Sequence, residues 1–188
     1  LYFPLRTNTE SSSSLKQRHL VGYQIGMNDE LSRDRLIAHP VWSLTFRDGE
    51  NVVGLVSPQK GPIASYGKVM ANRTTLYKYL NPHLNVVLTA NGRPVTINTN
   101  TTTPTAENSA CGVYVVDTVK GSILYQALLP SPGPGLKCNV KATLTENWLV
   151  YHYYDPEEAA VEEARGWRLV TVEFYEGDID EKTQRYVG

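Results

Sequence analysis

The sequence predicts an all-β fold of antiparallel strands, and three observations carry that prediction. Short stretches recur in which every second residue is large and apolar, the period of a strand. Clusters of Gly, Pro, Asn and Asp separate these stretches at spacings of about 8 to 20 residues, as in hairpin-connected sheets. Twelve Tyr and three Trp within a hydrophobic content of 41% suit a packed, pleated body better than a disordered linker. Four-stranded units of about 40 to 50 residues fit about four times into this length, so we expect β-propeller blades forming part of a ring. Two sheets packed as a sandwich are the alternative.

The stretch 73–90, RTTLYKYLNPHLNVVLTA, organises the chain by joining an aromatic turn to the clearest buried strand. Leu84, Val86 and Leu88 share one face of that strand, Asn85, Val87 and Thr89 the other, and Asn81-Pro82 stops whatever precedes them. Ahead of it, residues 1–10 read as the end of a strand, and Ser11 to Ser14 as a flexible loop linking two strands of one sheet. Residues 19–25 alternate Val21, Tyr23 and Ile25 against Leu20, Gly22 and Gln24. Residues 41–47 place Trp42, Leu44 and Phe46 on one face and end at the turn dipeptide Asp48-Gly49. Residues 51–57 follow as a short, nearly continuous apolar strand.

Beyond the organising stretch, 111–116 and 122–129 read as a hairpin around the turn 117–121, and a Pro- and Gly-rich connector leads to a strand over 138–144. Residues 148–154 are apolar or aromatic on both faces, which predicts a central strand packed on two sides. Residues 156–165 read as one short inserted helix: Asp155 stands at the N-cap, Pro156 at the first helical position, Arg165 in the last turn and Gly166 just beyond. Residues 167–175 return as a strand and run into a polar tail.

Eighteen basic and nineteen acidic residues give a formal charge of -1 with no long basic run, so no nucleic acid partner is predicted. Apolar runs fall far short of the ~20 residues of a membrane helix, so the segment itself is not expected to span a bilayer. Leu1 is not an initiator Met and no targeting stretch follows it, which leads us to expect a segment of a longer reading frame. Asn72-Arg73-Thr74 and Asn100-Thr101-Thr102 match the glycosylation acceptor pattern; Asn100, in the polar run 98–108 that reads as an exposed loop, is the expected acceptor ahead of Asn72, where a glycan has to point away from the packed aromatics beside it. Cys111 and Cys138 lack metal-ligand spacing. They either pair in an oxidising compartment or remain two buried thiols, and the hairpin between them counts against the bond.

No catalytic signature stands out, and no cofactor or metal is predicted. His19, His39, His83 and His152 are scattered without a zinc spacing. Neither Cys nor any of Ser43, Ser65 and Ser122 lies in a nucleophile motif. Asp178, Asp180 and Glu181 lack the turn Gly and closing Glu of a calcium loop. Tyr77, Tyr79, Trp148, Tyr151, Tyr153 and Trp167 are assigned to core and blade-to-blade packing ahead of a ligand-binding surface.

The segments GKVMANRTTLYKYLNPHLNVVLTA (67–90), GVYVVDTVKGSILYQ (112–126), ENWLVYHYYD (146–155) and VTVEFYEG (170–177) together resemble the family of the largest subunit of the endoplasmic reticulum membrane protein complex, in a fungal-type version. Leu76, Tyr77, Tyr79, Leu80, Asn81 and Pro82, with the stretch containing Trp148, Tyr151 and Tyr153, are the most specific parts of the likeness. The resemblance implies that residues 1–188 are part of a single β-propeller domain on the lumenal side of a single-pass membrane protein. It implies a non-catalytic scaffold whose partners are the other subunits of the complex. Through the whole complex it implies a part in inserting and folding multi-spanning and tail-anchored clients. The loops 98–108 and 157–165 depart from the family pattern. A propeller enzyme of the quinoprotein or glycosidase kind, its site in a central channel, is the competing class.

Overall fold

Alternating side chains dictate strands wherever both neighbours offer backbone partners, and the turns end where a residue of positive φ or a capping side chain redirects the chain. A computed structural model describes residues 2–4, 19–27, 36–47, 49–91, 111–130, 138–156, 166–180 and 185–187. In chain order its strands are β1 (Tyr2–Pro4), β2 (His19–Met27), β3 (Leu36–Thr45), β4 (Glu50–Val56), β5 (Gly67–Val69), β6 (Thr75–Tyr77), β7 (Leu84–Asn91), β8 (Cys111–Asp117), β9 (Ser122–Leu129), β10 (Lys141–Thr145), β11 (Trp148–Tyr154), β12 (Trp167–Glu173), β13 (Asp178–Asp180) and β14 (Arg185–Val187). All pairings between these strands are antiparallel. They form a first sheet β1-β2-β3, a central sheet β4-β7-β8-β9, a third sheet β10-β11-β12, and two ribbons, β5-β6 and β13-β14.

The three larger sheets stack face to face, and the alternation of the central strands shows how. Leu84, Val86 and Leu88 on β7, with Cys111, Val113 and Val115 on β8, pack toward Leu144, Leu149 and Tyr151 of the third sheet. Val87, Tyr114 and Val116 face the other way and pack with Leu20 and Phe46 from the first sheet and its connection. The central sheet is thus buried on both faces, as near-continuous apolar strands demand. Trp42 closes the first joint: its Nε1 donates to the Thr118 carbonyl at 2.9 Å. A Cβ added to Gly22 would lie 2.1 Å from the Trp42 ring and one added to Gly121 2.5 Å from it, so only glycine admits the indole between the two sheets.

Turn chemistry fixes the hairpins. Asp117 Oδ1 accepts from the N–H groups of Val119 and Lys120 at 2.9 and 3.1 Å, Gly121 N donates to the Asp117 carbonyl, and Gly121 takes φ 69° to start β9. The connection from β4 to β7 does not stay with the central sheet. Gln59 N donates to the Leu144 carbonyl, Tyr79 N to that of Phe174, and Glu176 N to that of Tyr77, so residues 59–79 form a strap along the third sheet.

Several expectations change. The two-sided packing predicted for β11 belongs to β7 and β8; β11 is central in its sheet but buries only the Leu149 and Tyr151 face. β3 begins at Leu36, ahead of the predicted start, because an edge strand tolerates Pro40 where the register shifts opposite Gly22 and Tyr23. The polar tail contains the β13-β14 pairing. Cys111 and Cys138 are joined, with Cα atoms 5.8 Å apart. The intervening hairpin counted against that bond, yet it favours it: Cys111 at the start of β8 lies opposite Leu129 at the end of β9, so a chain leaving β9 returns beside it. The inserted helix, apart from Pro156, and the loops 98–108 and 11–14 lie outside the described residues.

Candidate interaction surfaces

The third sheet has one uncovered face, and the strap along its edge ends in residues of the organising stretch. Asn81 fixes its end: Nδ2 donates to Asp117 Oδ2 at 3.0 Å and to the Tyr79 hydroxyl at 3.2 Å, while Oδ1 accepts from His83 N at 2.9 Å. Burial would raise the Asp117 carboxyl, but the Lys120 and Val119 N–H groups and Asn81 outweigh it and hold the group below its ordinary range. Tyr79 packs against the joint between central and third sheets, Leu80 is half-buried, and Pro82 is exposed. Lys78 Nζ bonds Glu146 Oε2 at 2.6 Å, and that bond lowers the Glu146 carboxyl. Tyr77, assigned to core and blade-to-blade packing, is 60% exposed and so lies outside the core: it ends β6 in a two-stranded ribbon that no third strand flanks among the described residues.

On the third sheet, Leu149, Tyr151 and Tyr153 of β11 pack inward with Val170 and Val172 of β12. The opposite face carries Trp148, Val150, His152 and Tyr154, cross-paired with Glu173, Thr171, Leu169 and Trp167. Trp167 meets the rings of His152 and Tyr154 edge-on, each at 5.5 Å. This aromatic face is open: Trp167 is 53% and Leu169 70% exposed. Trp148, assigned to core and blade-to-blade packing, is 37% exposed and so lies outside the core, because its position in the alternation places it with Trp167, whereas Tyr151 is 4% exposed. On the first sheet, Ile25, Leu36 and Val41 are likewise exposed.

The most concentrated buried polar group was not foreseen. Glu50 Oε2 accepts from the Tyr114 hydroxyl at 2.7 Å and from Thr89 Oγ1 at 3.2 Å, all three residues being buried. Burial and the Glu50 carboxylate push the Tyr114 hydroxyl up. The Tyr114 ring lies 5.0 Å from that of Phe46, and a Cβ on Gly112 would collide with Thr89 Oγ1. Enclosed by packed side chains, the cluster ties β4, β7 and β8 together and presents no face to a substrate. No local pattern announces it, because Glu50 stands just ahead of the apolar run 51–57 that reads as the strand. Among the described residues no group of three or more His, Cys, Asp or Glu is placed to hold a metal ion, and no helix is long and apolar enough to cross a membrane. Asn72 lies exposed in the β5-β6 turn, and Asn100 lies outside the described residues.

A family model described as "ER membrane protein complex subunit 1, second beta-propeller" matches residues 3–186. The chain is similar to ER membrane protein complex subunit 1 of Schizosaccharomyces pombe, with 32% identity over 139 residues covering 72% of this chain and 13% of that protein. The Xenopus laevis subunit is 29% identical over 154 residues, covering 80% of this chain and 13% of its own length. The Saccharomyces cerevisiae subunit is 25% identical over 178 residues, covering 92% and 20%. The chain therefore spans a small part of the relatives it matches.

Proposed function

The chain belongs to the family of the second β-propeller of ER membrane protein complex subunit 1, and from that membership we propose that it is a non-catalytic scaffold segment of that complex on the lumenal side of the endoplasmic reticulum membrane. The complex it serves inserts and folds membrane proteins, multi-spanning and tail-anchored ones among them. The observation that carries the reading is the uncovered aromatic face of the third sheet, beside a central sheet already sandwiched between two others. Residues 1–188 form part of one propeller domain, and a further blade or a sister subunit packs on Trp167, Leu169 and their neighbours. An exposed apolar sheet face of this kind marks an interaction surface rather than a reaction site.

Affinity purification of the tagged full-length protein from its host tests the proposal. The expected result is stoichiometric recovery of the other subunits, and no turnover of common hydrolase or dehydrogenase substrates. Turnover abolished by one point substitution, with fold and co-purification intact, overturns it.

A further inference from the structure

We propose that Asn72 is a site of N-linked glycosylation, an inference that rests on the lumenal reading above. Two independent features meet there. The sequence Asn72-Arg73-Thr74 is an acceptor pattern, and the fold places it in the exposed loop of the β5-β6 ribbon. Met70 N donates to the Thr74 carbonyl at 2.8 Å and Arg73 N to the Met70 carbonyl at 3.0 Å, while Arg73 adopts φ 69°. That is a three-residue hairpin loop closed by a left-handed residue. Every residue from Lys68 to Thr75 is exposed, Val69 to 75%.

The acceptor amide is also held in a defined arrangement. Asn72 Oδ1 accepts from Thr74 N at 3.1 Å and from Thr74 Oγ1 at 2.6 Å. The carbonyl oxygen is thereby tied into the turn, and Nδ2, the atom to be modified, donates to no described residue. The hydroxyl that the acceptor pattern demands is thus already bound to the asparagine it serves. In the transfer, Nδ2 attacks the anomeric carbon of an oligosaccharide carried on a polyprenyl diphosphate. The N–C bond forms as the C–O bond to the diphosphate breaks, the electron pair leaves on the phosphate oxygen, and one amide proton passes to base.

A glycan here is accommodated in solvent, since the whole loop around Asn72 is exposed. It also covers Val69 and Met70, which otherwise leave an apolar tip in water.

Mass spectrometry of full-length protein from its host reads the site directly, since trypsin cleavage after Lys68 and Arg73 yields a peptide that contains Asn72 and not Asn100. The expected result is that this peptide appears only after enzymatic removal of N-linked glycans, with Asn72 converted to aspartate. Asn72→Gln and Thr74→Val should each abolish the modification, and Thr74→Ser, which keeps the hydroxyl, should retain it. Protease protection of the region in sealed microsomes separates the two layers of the claim. An unmodified peptide from a protected region overturns the Asn72 assignment and leaves the lumenal reading standing, whereas digestion of the region by added protease overturns both.

Discussion

Tyr151 and Trp148 lie three residues apart on one strand and have opposite environments, 4% against 37% exposed. Tyr151→Ala should therefore cost about 3 to 5 kcal/mol and Trp148→Ala only about 1 kcal/mol or less, as read by denaturant unfolding of the two variants. Equal losses would contradict the placement of the faces. Asp117 adds a pH dependence. Its folded-state pKa lies below the unfolded value near 3.9. The stability it supplies is fully present above that value and is lost as pH falls through the folded pKa. Asn81→Ala removes one of the donors that lower it, so the variant should be destabilised by about 1 to 3 kcal/mol near neutrality, and the gap should narrow on acidification below pH ~4. A gap that widens in acid would refute the assignment. The sequence made the pairing of residues on each face of β11 legible, since period-two alternation is local. Which face is covered depends on the neighbouring sheet, and that is why alternation alone does not separate Tyr153, packed against the core, from Trp148 on the open face.

At the scale of elements, the two links that join distant strands were the least legible. Cys111 and Cys138 close a separation of 27 residues. By chain entropy alone, replacing both with Ala should cost on the order of 3 to 4 kcal/mol, measured against wild type under non-reducing conditions. An undiminished stability would mean that the bond adds nothing. The strap depends on the Lys78–Glu146 pair and on backbone bonds to the third sheet. Lys78→Met should accelerate amide exchange at Tyr79 and Glu176 and leave the β7 amides unchanged, and uniform acceleration would contradict the strap as a separate unit. Turn residues announced the β8-β9 hairpin, because Asp117 and Gly121 act on their own neighbours, whereas Asn147 in the β10-β11 turn donates from Nδ2 to the Phe174 carbonyl, 27 residues away. Nothing local announces that Gln59 pairs beside Thr145, a contact set by how the third sheet lies against the central one.

Across the whole molecule, antiparallel β architecture was written in the alternation and the turn spacing, and the stacking of three sheets follows from β7 and β8 being apolar on both faces. The uncovered face of the third sheet carries a different signature, aromatic side chains beside water. Chain order cannot say whether such a face is finished by solvent or by another protein surface, because a cross-strand cluster such as Trp167 with His152 and Tyr154 serves either. In the proposed scaffold role it is finished by protein. Hydroxyl-radical footprinting of the full-length protein in its native assembly tests this most directly, with the exposed Tyr66 and Tyr77 of the strap as internal references. Trp167 and Leu169 should be strongly protected while Tyr66 and Tyr77 react. Reactivity of Trp167 and Leu169 equal to that of the strap tyrosines would contradict it.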